Sequence, residues 1–129
     1  MNQSIIAVDF DGTITKDNDF PNLGELMPGA KEIITELHDK GCIIILWTCR
    51  CDKYLDDAID YCEKNKIPID YVNENVPEIN GHYANPKIFA HYYIDDLNVG
   101  GFPGWEKVKE IIFHQEGFKK TILPTSVKR

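Results

Sequence analysis

Six side chains could do chemistry together: Asp9, Asp11, Thr48, Lys87, Asp95 and Asp96. Asp9 and Asp11 lie two positions apart, so on an extended segment they point to the same side. Carboxylates held together repel one another unless a cation joins them or one keeps its proton. Magnesium takes oxygen ligands, commonly one or two carboxylates plus water and substrate phosphate. Asp9 and Asp95, arriving from separate strand ends, could hold one such ion. Asp96 could share that task or orient Lys87. Gly12 permits a tight turn, and successive N–H groups there could cradle phosphate. These residue types suit phosphoryl transfer, which needs an in-line nucleophile, positive charge around the equatorial oxygens and an acid for the leaving oxygen. Asp9 can be the nucleophile. Asp11 can protonate the leaving oxygen and then deprotonate water. Thr48 can donate its hydroxyl to a phosphoryl oxygen, and Lys87 can offset the negative charge.

The elements that must position these groups alternate. Ser4 to Val8, Cys42 to Trp47 and His91 to Ile94 are short apolar runs of the kind that form buried parallel strands. A weaker strand signal covers Ile69 to Val72. Helices are predicted over Pro28 to Lys40, Asp52 to Asn65 (with Asp52 as N-cap) and Pro103 to Gln115. Lys16 to Met27 reads as a loop or flap, Asn73 to Pro86 as a loop, and Lys119 to Leu123 as a further edge strand. Strand–helix alternation predicts an α/β fold: a mainly parallel sheet with helices on both faces, three layers, in one domain over residues 1–129. Ligands of such folds bind outside the carboxyl ends of the strands. Asp9, Thr48 and Asp95 each come directly after an apolar run, as that rule requires.

Composition narrows the classes. With 43% hydrophobic and 27% charged residues, the 129-residue chain reads as globular. Its net charge of −7 makes a nucleic-acid partner a poor expectation. No apolar run approaches the length of a membrane span, and Met1 to Val8 does not resemble a signal peptide, so a soluble, cytoplasmic protein is expected. Cys42, Cys49, Cys51 and Cys62 are expected to be reduced thiols, since no second pair matches Cys49 and Cys51 as zinc ligands. His38 and His114 read as helix-surface residues. The sequence leaves His82 and His91 unassigned. Arg50 reads as a solvated surface arginine.

The motifs resemble those of the haloacid dehalogenase (HAD) superfamily. Asp9-Phe10-Asp11-Gly12-Thr13 resembles the first motif and Ile43 to Thr48 the second. Lys87 in Asn85-Pro86-Lys87 resembles the third, preferred over Lys53. Tyr92-Tyr93-Ile94-Asp95-Asp96 resembles the fourth. The resemblance implies a magnesium-dependent phosphomonoester hydrolase working through an aspartyl-phosphate. It implies Asp9 as nucleophile, Asp11 as acid and base, and a metal on Asp9, the Asp11 backbone carbonyl and Asp95, with Asp96 as a further candidate. Neither insertion slot, Lys16 to Met27 nor Asn73 to Pro86, holds a cap domain. A capless site would be completed by a flap, the substrate or a second subunit, so a homo-oligomer is a candidate. Phe20, Tyr83, Phe102 and Trp105 could line the mouth or an interface, or be ordinary packing residues. The expected partner is a small-molecule phosphate ester. The rival readings are a phosphotransferase or mutase on the same scaffold, and a non-catalytic phospholigand-binding or assembly protein.

Overall fold

The computed structural model describes residues 3–79 and 86–119. Within them the chain forms β1 (Ile5–Val8), α1 (Ala30–Asp39), β2 (Ile43–Leu46), α2 (Asp52–Lys64), β3 (Tyr71–Val72), β4 (Tyr92–Ile94) and α3 (Trp105–Glu116). The strands build one all-parallel sheet in the order β3-β2-β1-β4. An α/β fold with a four-stranded parallel sheet and three helices is thus what the alternating pattern produces.

Register, more than strand length, positions the strand tips. Val8 pairs with Leu46 on one side and Ile94 on the other, so β1, β2 and β4 end level. The ladder runs one residue further through Asp9 N–H to Ile94 O (2.9 Å), Trp47 N–H to Val8 O (2.9 Å) and Asn73 N–H to Leu46 O (2.8 Å). The residues just past each strand therefore emerge along one edge. The strand read over Ile69 to Val72 starts later, at Tyr71. The reason is local: the Asp70 carboxylate accepts the Ile44 N–H at 2.8 Å, taking the place of a backbone partner.

Strand side chains alternate between faces, and this separates two cores. Ile6, Val8, Ile44 and Leu46 face Ile33, Ile34 and Leu37 of α1, Ala58 and Cys62 of α2, and Trp105, Val108 and Ile112 of α3. Ile5, Ala7 and Ile45 face Val76, Ile88 and Ala90. Helices on both faces were expected; among the described residues all three lie over one face, and the other is covered by irregular chain. Handedness explains most of this. The β1-α1-β2 and β2-α2-β3 crossovers step in the same direction, so right-handed connections place both helices on one side. The return from β3 to β4 steps back past β1 and must cross the opposite side, but residues 73–79 and 86–91 contain no helix. Helix α3 lies beside α1, joined by Lys109 Nζ to Glu36 Oε1 at 2.9 Å.

Lys16 to Met27 is a closed excursion, not a free loop. Thr15 and Leu26 form an antiparallel bridge, flanked by Lys16 N–H to Glu25 O and Met27 N–H to Ile14 O, both 2.8 Å. Trp105 is core, 2% exposed, and its indole N–H donates to Thr13 O at 2.8 Å, tying α3 to the turn after β1. Phe102 packs edge-on against it. The edge-strand expectation at Lys119 to Leu123 runs into residues outside those described, as do His82 and Tyr83. Among the described residues no helix is long and apolar enough to cross a membrane.

Candidate functional site

The sheet reverses its winding between β1 and β4, since the chain moves out from β1 to β3 and returns to β4 on β1's other side. Open α/β sheets bind ligands in the crevice at such a reversal, beyond the carboxyl ends of the strands. Asp9 stands at the tip of β1, and Asp95 and Asp96 at the tip of β4. One oxygen from each of the three carboxylates lies within 4.8 Å of the others. Among the described residues this is the one group of acids, histidines or cysteines gathered as metal ligands would be.

The three acids are costly neighbours. Thr13 Oγ1 donates to Asp9 Oδ2 at 3.4 Å, and Leu97 N–H donates to Asp95 Oδ1 at 2.9 Å. Asp96 Oδ1 is buried with no hydrogen-bond partner. No ion pair joins a described basic side chain to Asp9, Asp95 or Asp96. Burial above all, then the Asp95 charge and a hydrogen bond with Asp96, push the Asp9 carboxyl up to about 8. Gly12 makes the crowding possible. Its φ of +80° suits glycine, and a methyl group there would collide with the Asp96 carboxylate.

Asp11 has another arrangement. Arg50 Nε donates to Asp11 Oδ2 and Nη2 to Asp11 Oδ1, each at 2.7 Å, a bidentate pair. Arg50 is 3% exposed, so the surface arginine read from the sequence is in fact buried at the site. No local pattern in the sequence signals this, because it depends on the pairing of β1 with β2. Arg50 falls four residues beyond Leu46, and Asp11 falls three beyond Leu46's partner, Val8.

A cavity of about 280 Å³ brings together Asp9, Asp11, Thr48, Asp95 and Asp96, with Asn18, Phe20 and Leu97 towards its mouth. Thr48 is fixed by its N–H to Asn73 Oδ1 (2.8 Å), and its Oγ1 accepts the Arg50 N–H at 3.1 Å. Lys87 is not brought into this cavity. It is exposed, with Nζ 5.0 Å from the Tyr93 ring centroid, beside a neighbouring cavity of about 290 Å³ that also touches Asp95. Lys53 is exposed and lies over Tyr54, 5.1 Å from its ring.

The remaining candidates have structural surroundings. Burial pushes the Cys42 thiol to about 11 and the Cys62 thiol to about 12, the mark of inert packing cysteines. Cys49 and Cys51 are exposed, and all four thiols are free. His38 Nε2 lies 3.1 Å from Asp70 Oδ1, and His91 Nδ1 accepts the Ile5 N–H at 2.9 Å.

Fold and site together define an α/β domain with a carboxylate cluster at its winding reversal. No protein-family model and no curated protein matches the chain. A solved structure does: a conserved protein from Bacteroides thetaiotaomicron, 34% identical, with a TM-score of 0.80 over 92% of this chain and 99% of that one. The chain belongs to the same family as that conserved protein.

Proposed function

We propose that the chain is a magnesium-dependent phosphomonoester hydrolase with a Rossmann-like fold of the HAD type, its layer opposite the helices supplied by the β3-to-β4 crossover. The observation that carries this is the convergence of Asp9, Asp95 and Asp96 within 4.8 Å, with the buried Asp96 Oδ1 left without a partner. An orphaned buried carboxylate oxygen is expensive. A divalent cation with oxygen ligands would satisfy it and remove the repulsion at once, so the donor set fits magnesium. Asp9, Asp95 and Asp96 would hold the ion, with the Asp11 backbone carbonyl implied by the motif. Bound there, it would supply positive charge to the phosphoryl oxygens.

The chain's own residues then divide the work. An Asp9 oxygen attacks phosphorus; the Asp9–phosphorus bond forms as the ester P–O bond breaks. Asp11, entering this step with a proton on one oxygen, gives it to the departing oxygen and is left as the carboxylate that serves as base in the second step. Its two oxygens offer about four lone-pair sites, and Arg50 uses two of them. In the second step Asp11 takes a proton from water as that water attacks phosphorus, releasing phosphate and restoring Asp9. Thr48 lines the same cavity, which supports its hydroxyl as a donor to a phosphoryl oxygen.

The mouth is shaped by the short flap and carries exposed Phe20 and Leu97, which suits a small phosphate ester. The test is a panel of phosphate esters with and without magnesium, run on the wild type and on Asp9→Asn. Magnesium-dependent release of phosphate by the wild type alone supports the reading. Turnover that persists in Asp9→Asn removes Asp9 as nucleophile, and an isomerised ester as product would make the protein a mutase instead.

A further inference from the structure

We infer that Arg50 is a positioning residue that locks Asp11 and the flap residues Phe20 to Asn22 into one unit; its catalytic part rests on the phosphatase reading. An arginine at a phosphate site is ordinarily taken as a clamp on the substrate's oxygens. Arg50 has no donor left for that. A guanidinium offers five N–H groups, and five hydrogen bonds account for them. Nε and Nη2 each donate to Asp11 at 2.7 Å, Nη2 also to Asn22 O at 2.9 Å, and Nη1 to Pro21 O at 3.4 Å and Tyr54 O at 3.2 Å. The plane is also held between two rings, with Cζ 5.1 Å from the Phe10 centroid and 5.0 Å from that of Phe20.

The partners come from three parts of the chain: the turn after β1, the flap and the first turn of α2. Only the fixed fork of a guanidinium reaches all of them; an ammonium is a single point charge. Asp11 thereby has one orientation, and the flap that shapes the mouth is held by the same side chain. Mouth geometry and proton delivery are coupled through Arg50.

The test compares Arg50→Lys with the wild type in the full chain with magnesium. Two esters of similar shape are used: para-nitrophenyl phosphate, whose leaving group needs no proton, and phenyl phosphate, whose leaving group benefits from one. Misplacing an acid that contributes on the order of a hundredfold should cost kcat far more on phenyl phosphate. The expected losses are about a hundredfold there and about tenfold on the nitrophenyl ester. Equal losses on both esters would mean Arg50 merely supports the fold and would overturn the catalytic part. Amide hydrogen exchange supplies a readout that needs no activity. Arg50→Lys and Asp11→Asn should each speed exchange across residues 16–27 while leaving the β1 and β2 amides protected. Asp11→Asn keeps the arginine and serves if Arg50→Lys does not fold. An inert wild type would sink the phosphatase reading but leave this arm decisive: flap amides unchanged in both variants overturn the unit.

Discussion

Asp11 has both carboxylate oxygens held by Arg50 at 2.7 Å, whereas Asp9, two residues earlier, faces two further carboxylates, Asp95 and Asp96. The two halves of one short motif therefore meet negative charge in opposite ways. At Asp11 the chain carries its own cation, buried and spending every donor on protein. At Asp9 it gathers three acids and supplies no paired base among the described residues. A cleft built this way is divided before any ligand arrives. One side, at Asp11, the proposed acid, has its geometry settled by the fold. The other, at Asp9, the proposed nucleophile, gains most from an added cation.

The largest effect should come from the unsettled side. Asp9→Asn replaces the proposed nucleophilic carboxylate with a poorly nucleophilic amide and should lower phosphatase turnover by at least about a thousandfold, measured as magnesium-dependent phosphate release. Above about pH 3.8 the metal-free variant should melt higher than the wild type, because a neutral amide needs no proton taken up on folding, whereas Asp9 beside Asp95 and Asp96 does. A lower melting point would break the contrast between the two halves. Next comes Gly12→Ala. A positive φ and the nearby Asp96 carboxylate both oppose the new methyl group, so the variant should lose about 1–3 kcal/mol of stability and bind magnesium more weakly by calorimetry. Unchanged affinity would show that Asp96 does not serve the ion. Magnesium itself should stabilise the wild type by about 2.7 kcal/mol at a hundredfold excess over Kd, seen as a rise in melting temperature. Asp96→Asn should lose most of that rise, whereas the Arg50–Asp11 pair should be indifferent to the ion.

How much of the site was legible in sequence depends on the range of the forces involved. Asp9, Thr48 and Asp95 could be placed because each comes directly after an apolar run, and strand ends in a parallel sheet share an edge. Asp96 came with Asp95. Arg50 could not be read in the same way. Its burial depends on β1 and β2 pairing with Val8 opposite Leu46 and on the flap folding back over it, neither of which leaves a local periodic trace. Helix existence was legible from apolar spacing; which face each helix covers was not, because it depends on strand order. Lys87 stands differently. A motif-like position in sequence does not bring its ammonium into the cavity, since its chain runs on the covered far face of the sheet.

The smallest effect, and the finest test of the contrast, is on pH. Asp9 is pushed from 3.8 up to about 8, first by burial and then by Asp95 and Asp96. In the folded, metal-free protein it therefore binds its proton more tightly than in the unfolded chain. The stability this contributes is fully present below about 3.8 and is lost as pH rises through about 8. The metal-free melting temperature should fall across that window for this reason. Magnesium competes with the proton for the same oxygens, so the gap between magnesium-loaded and metal-free melting temperatures should widen as pH rises. Asp9→Asn should flatten the metal-free slope, since its amide does not titrate in that range. Melting curves of wild type and variant across the window, with magnesium or with a chelator, decide the matter. A slope that survives unchanged in Asp9→Asn would place the strained charge elsewhere and would dissolve the division between a settled and an unsettled half of the cleft.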